Sequence, residues 1–214
     1  MLHKEPNIVS SKIFSLIQQL QSHPELKGFF LVGGTALALQ LGHRNSIDID
    51  LFTQSDFNTQ ELGFFLKTKF DIRLDYERDG TLLTLINNIK VDFIKHAYSN
   101  IKPPILEEGI TFLSMEDISA MKLNAVINSG QRLKDFIDIY FLMEHFSLKD
   151  MLQFFETKYP NTNALIALKA LTYFDDIDET LQSPKVVRPL TFAEIKERIN
   201  KAVVHTNKIF TSES

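Results

Sequence analysis

Cysteine is absent from the 214 residues, and so is tryptophan. Without thiols the chain has no disulfide scaffold, no cysteine-ligated zinc or iron–sulfur centre and no thiol nucleophile, which fits a reducing compartment. Positive charge is also scarce. Lys and Arg number 23 against 27 Asp and Glu, leaving a net charge of −4 shared equally by the two halves. That balance excludes a broadly basic nucleic-acid coat protein but not a local basic patch. The six histidines, at 3, 23, 43, 96, 145 and 205, lack metal-ligand spacing. No apolar run approaches the roughly 18 residues of a membrane span, and the opening MLHKEPNIVS carries no signal-peptide core. The expectation is a soluble cytoplasmic protein without membrane contact.

What is present is ordinary globular composition: 44% hydrophobic and 23% charged residues exclude intrinsic disorder. The 18 Phe residues mostly follow helical or strand periodicity and so read as core. Apolar spacing predicts a helix within 8–20, then a wholly apolar strand at 29–32. Gly33-Gly34 breaks that strand, and Thr35 opens a helix over 36–41. Residues 46–52 alternate Ile47, Ile49 and Leu51 with Asp48 and Asp50, a strand pattern in which the three apolar residues seek a core. A helix over 57–70 follows, then strands at 72–77, 82–86 and 89–94 separated by Asp79-Gly80 and Asn87-Asn88, an antiparallel meander. A short strand at 110–113 returns to the sheet.

From Ser114 the pattern turns helical, with Ser114 and Asp117 spaced much like a capping box. Helices are expected at 115–127, 133–146, 148–158, 163–173 and from 192 to about 208. The fold class is therefore α+β: a small mixed β-sheet with flanking helices over 1–113, followed by a helical region over 114–214. The acidic stretch Asp175, Asp176, Asp178 and Glu179 lacks the glycine and spacing of a calcium loop and reads as a solvated loop.

Asp48 and Asp50 share one face of the expected strand, with Cα atoms about 6–7 Å apart. Neighbouring carboxylates repel, and a pair of Mg²⁺ ions is one resolution; a solvated polar face is the other. Asp92, among apolar residues on a second strand, completes a metal cage if the two strands are neighbours. Gly33-Gly34 allows close backbone approach, and the helix start behind it offers free N–H groups to an anion. The same pair also suits a plain turn, and Thr35 is either a ligand hydroxyl or a cap. Lys122 sits among Ile118, Met121, Ala125 and Val126, so its ammonium either reaches a site or snorkels. Asp135 and Asp138 share a helix face, and a structural ion pair with Lys122 is as reasonable as a ligand role.

Together these blocks carry a resemblance. Gly33-Gly34-Thr35-Ala36-Leu37, the run from His43 and Arg44 through Ser46, Asp48 and Asp50, then Val91-Asp92-Phe93, Lys122 and 134–140 resemble the AbiEii/AbiGii toxin family of minimal nucleotidyltransferases, over about 29–146. The resemblance implies a polymerase-β-like nucleotidyltransferase core with a helical part closing the nucleotide cleft. It implies a nucleoside triphosphate substrate, two Mg²⁺ ions, a cognate antitoxin as partner, and in some members transfer to a tRNA 3′ end. By motif, Asp48, Asp50 and Asp92 would hold the metals, with Asp92 drawing the acceptor's proton. Gly33, Gly34, Thr35, Arg44 and Ser46 would shape the phosphate pocket. Lys122 would neutralise the triphosphate, supported by Asp135 and Asp138. Thr35 stands where such enzymes commonly have Ser, and Lys134 stands where an Arg is common. A tRNA acceptor would call for a confined basic lip of Arg44, Lys122, Arg132 and Lys134. The alternatives are a non-catalytic nucleotide- or partner-binding module on the same fold, and a transferase modifying a small molecule or protein.

Overall fold

A computed structural model describes residues 1–177 and 184–211. Its packing divides the chain into two compact units. The first is Met1–Ser99 with Pro103–Leu113; the second is Asn100–Lys102 with the chain from Ser114 onward.

In the first unit, α1 (Ser11–Gln21) starts at Ser10, whose hydroxyl accepts from the Ile13 N–H, and buries Ile13, Leu16, Ile17 and Leu20. The apolar run becomes β1 (Phe30–Val32), and α2 (Gly33–Leu41) begins at the glycine pair itself rather than after it. Gly42 ends α2 in the left-handed region, the usual helix stop. β2 (Ile49–Thr53) begins later than alternation suggests. Ile49 and Leu51 are fully buried, but Ile47 is 58% exposed, so it contributes nothing to the core. The reason is local: Ile47 precedes the strand, outside the ladder that places its neighbours.

After α3 (Thr59–Lys69), the strands β3 (Ile72–Arg78), β4 (Thr81–Ile86) and β5 (Ile89–Lys95) form the expected meander. Asn87 and Asn88 both adopt positive φ, 51° and 64°, the conformation a two-residue hairpin turn demands. Two strands close the unit, β6 (Ile105–Glu107) and β7 (Ile110–Phe112). β7 lies parallel beside β1, whereas β6 has no counterpart in the sequence reading. Its three residues leave Leu106 73% exposed, too short and too open to show a periodic pattern. The sheet order is β3-β4-β5-β2-β1-β7-β6, with β2 parallel to β5 and antiparallel to β1.

The second unit holds α4 (Met115–Ser129), α5 (Leu133–Leu142), α6 (Leu148–Lys158), α7 (Ala164–Leu171) and α8 (Phe192–Val204). Ser147 with Asp150 and Thr191 with Glu194 form complete capping boxes at α6 and α8. Three helices stop short of their expected ends, α5 at Leu142, α7 at Leu171 and α8 at Val204. Asp175 and Asp176 are exposed, as a solvated loop requires; Asp178 and Glu179 lie outside the described residues. Among the described residues no helix is long and apolar enough to cross a membrane.

The charged centre of this unit is Asp117. Its carboxylate accepts from the Ser114 hydroxyl at 2.9 Å, from the Ile101 and Lys102 backbone N–H groups, and from the Lys158 ammonium at 2.7 Å. Asp117 and Lys158 are both fully buried, so each relies on the other to offset lost hydration. Replacing Lys158→Met should lower unfolding free energy by about 3 kcal/mol in urea titration. A loss below about 1 kcal/mol would show the pair to be incidental.

Candidate functional site

Register builds the site. On β2 and β5, Asp50 lies directly opposite Asp92, and on the other side of β2 Asp50 lies opposite Val32 of β1. Three adjacent strands thus bring Asp92, Asp50 and the end of β1, where Gly33 follows, to one level of the sheet. One residue ahead of the Ile49–Val91 pair stand Asp48, just before β2, and Lys90, on β5. Lys90 shares a face of β5 with Asp92 and lines one surface hollow with Asp48, so with Asp50 the four side chains bound a rough rectangle. Its side along β5 is about 6–7 Å, and its side across the β2–β5 pair is about 4.8 Å. Three corners are carboxylates and the fourth is an ammonium.

Lys90 Nζ lies 2.9 Å from Asp92 Oδ2. Partial burial works against the charge of Lys90. The hydrogen bond to Asp92 and the fields of Asp92, Asp48 and Asp50 outweigh that burial and raise its pKa. Lys90 was passed over in the sequence reading, although the period-two rule that joined Asp48 to Asp50 joins it to Asp92 equally well.

Asp92 is buried, and its second oxygen, Oδ1, has no hydrogen-bond partner. An orphaned carboxylate oxygen beside two further carboxylates is a hard-oxygen donor set that suits Mg²⁺. The donors fit a divalent cation in kind. As placed, however, no three His, Asp or Glu side chains among the described residues converge closely enough to hold one.

The glycine pair is fixed by what approaches it. Gly33 has φ +70°, and a Cβ there would run into the Asp50 carboxylate. A Cβ on Gly34 would meet the Arg44 guanidinium and come within 3.3 Å of Ser46 Oγ. Val32, the N-cap of α2, gives the helix no side-chain cap, so its first turn presents amides without side-chain competition. Thr35 is buried and third in the helix: its hydroxyl donates to the Asp48 carbonyl and lies 2.8 Å from Ser46 Oγ. It therefore tethers the segment carrying Asp48. Arg44 is 3% exposed and donates to the Asn45 carbonyl at 2.8 Å. Arg44, Ser46 and Thr35 form the wall behind the glycine turn.

In the second unit, Lys122 on α4 meets two acids of α5, Asp135 Oδ1 at 2.9 Å and Asp138 Oδ2 at 2.6 Å. All three are buried. Arg132, about half exposed, binds the other Asp135 oxygen at 2.8 Å. Of these four side chains Arg132 is the outward one. The expected basic lip is corrected accordingly: burial removes Arg44 and Lys122 from any exposed surface, leaving only Arg132 and Lys134 of the four.

Comparison with known proteins points one way. The family model described as "Nucleotidyl transferase AbiEii toxin, Type IV TA system" matches residues 15–203. An uncharacterised protein of Aquifex aeolicus (strain VF5), aq_aa25, is 34% identical over 157 residues, covering 71% of this chain and 76% of its own. A crystal structure of a candidate nucleotidyltransferase from H. pylori superposes with a TM-score of 0.52 at 19% identity, covering 90% of this chain and 89% of that one. JHP933 from Helicobacter pylori gives a TM-score of 0.49 at 18% identity, over 90% and 86% of the two chains. At 19% identity the first of these two likenesses bears on the fold alone.

Gly33→Ala tests the packing of this site. The added methyl meets both an unfavourable φ and the Asp50 carboxylate, so thermal unfolding should show a loss of about 1–3 kcal/mol. Gly63→Ala is the control, because nothing lies within 4 Å of its position and it sits inside α3, where Ala is favoured.

Proposed function

We propose a reaction for this chain, which belongs to the nucleotidyl transferase AbiEii toxin family and is a nucleotidyltransferase: transfer of a nucleotide from a nucleoside triphosphate to an acceptor hydroxyl, with Mg²⁺ held by Asp48, Asp50 and Asp92. The observation that carries this reading is the level pairing of Asp50 with Asp92 beside the glycine turn. The acceptor oxygen attacks the α-phosphorus, the bond to the leaving pyrophosphate breaks, and the hydroxyl proton passes to Asp92 Oδ1. Bound divalent metal supplies charge stabilisation for the entering and leaving oxygens.

The chain's own residues do the rest. The amides at the start of α2 bind phosphate oxygens, and Gly33 and Gly34 let them come close. Thr35 holds the Asp48 segment in position through its carbonyl. Arg44 and Ser46 support the glycine turn from behind rather than meeting phosphate themselves. In the second unit Asp135 and Asp138 fix the Lys122 ammonium, and Arg132 is the cation of that cluster left open to an anion. In this reading the protein is the toxin of a bacterial toxin–antitoxin pair, works in the cytoplasm where nucleotides are plentiful, and has a tRNA 3′ end as its acceptor.

Incubation with each labelled NTP, total tRNA and Mg²⁺ should give labelled RNA. Asp48→Asn and Asp50→Asn should each cut transfer at least about 10²-fold while circular dichroism stays unchanged. Expression should arrest growth, and Asp50→Asn should relieve the arrest. Label on a small molecule or protein instead of RNA would reassign the acceptor. Nucleotide binding without pyrophosphate release would mark a non-catalytic module and sink the transferase reading.

A further inference from the structure

The fourth corner of the carboxylate rectangle asks for an explanation that nucleotidyl transfer does not supply. A lysine bonded to a metal ligand looks like an error in a site meant for divalent cations. Its charge would repel the ion, and its hydrogen bond takes Asp92 Oδ2 out of use. The metal-free protein has the opposite problem. Three carboxylates on and just ahead of two neighbouring strands repel one another at such spacings. Lys90 answers that repulsion directly, since it is bonded to Asp92 and shares a hollow with Asp48.

Two further observations set its range of action. Asp92 divides its oxygens: Oδ2 is held by Lys90, and Oδ1 is buried without a partner. Lys90 is itself half exposed and lines an open hollow of about 300 Å³ together with Asp48, Ser10, Lys12 and Asn88. Its ammonium can therefore leave the rectangle by rotating its own side chain into a solvated space, with no change in the backbone. An ammonium on a flexible four-carbon stem suits this task, whereas a guanidinium fork would grip the carboxylate in two places.

We propose that Lys90 is the resident counterion of the carboxylate site, holding Asp48, Asp50 and Asp92 together without metal and giving way to a divalent cation that competes for Asp92. Lys90 is thus a positioning residue that sets the metal threshold of the enzyme.

The inference rests on the reading of the three acids as metal ligands, and the experiment separates the two. Titrate the full chain with Mn²⁺ alone, following binding by electron paramagnetic resonance, for the wild type, Lys90→Met, Lys90→Arg and Asp50→Asn. Lys90→Met should bind Mn²⁺ at least about fivefold more tightly. Its melting temperature should fall without metal and recover more than the wild type's when Mn²⁺ is added. Lys90→Arg keeps the cation and a firmer grip, so it should bind no more tightly than the wild type. Equal or weaker binding by Lys90→Met, with Asp50→Asn abolishing binding, overturns the counterion role and leaves the metal site standing. Absence of Mn²⁺ binding in the wild type overturns both.

Discussion

A parallel pairing between β2 and β5 is the constraint on which the first unit depends. It sets Asp50 and Asp92 level on adjacent strands, where neither can move away without breaking the ladder. Everything nearby is arranged around that forced proximity. Gly33 lacks a side chain because the Asp50 carboxylate occupies the space one would need. Thr35 holds the Asp48 carbonyl, fixing the stretch just before the strand where the ladder no longer does so. Lys90 supplies the compensating charge. The fold stabilises an arrangement that electrostatics alone would disperse, as sites prepared for a ligand of opposite charge commonly do.

The helical unit handles charge differently. Lys122, Asp135 and Asp138 are closed in a buried network, and Asp117 with Lys158 is closed more completely still. In both cases an acid near the start of one helix meets a lysine on another. The desolvation penalty of each ion is offset by its partner and by further hydrogen bonds, which is the condition for a buried pair to be tolerated. These networks fix which helix faces meet. Apolar side chains alone would leave that choice looser.

Much of this was legible in the sequence because the governing signals are local. Period-two alternation marked the strand that carries Asp50, turn dipeptides marked the meander, and Ser114 marked the start of α4. The order of the motifs pointed to the family. What stayed hidden depends on contacts remote in sequence. No local pattern states that β2 pairs with β5 in the register that sets Asp50 against Asp92. None shows that the Thr35 hydroxyl ends at the Asp48 carbonyl, that Lys122 takes two acids rather than one, or that Arg44 turns inward. Ile47 misled because alternation continues past the point where the ladder ends. β6 was missed because three residues hold less than two periods of any pattern.

The register also orders events in time. β3, β4 and β5 are joined by two-residue turns and can pair as soon as they are made, whereas β7 joins β1 only across some eighty residues, Leu31 to Phe112. Contacts that span more chain form later, since a larger loop must be closed first. β2 can find its level against β5 only once Asp92 has left the ribosome. A growing chain therefore carries the glycine turn, Asp48 and Asp50 for more than forty residues before it can assemble the site. Throughout that interval the parts of the site exist without the site.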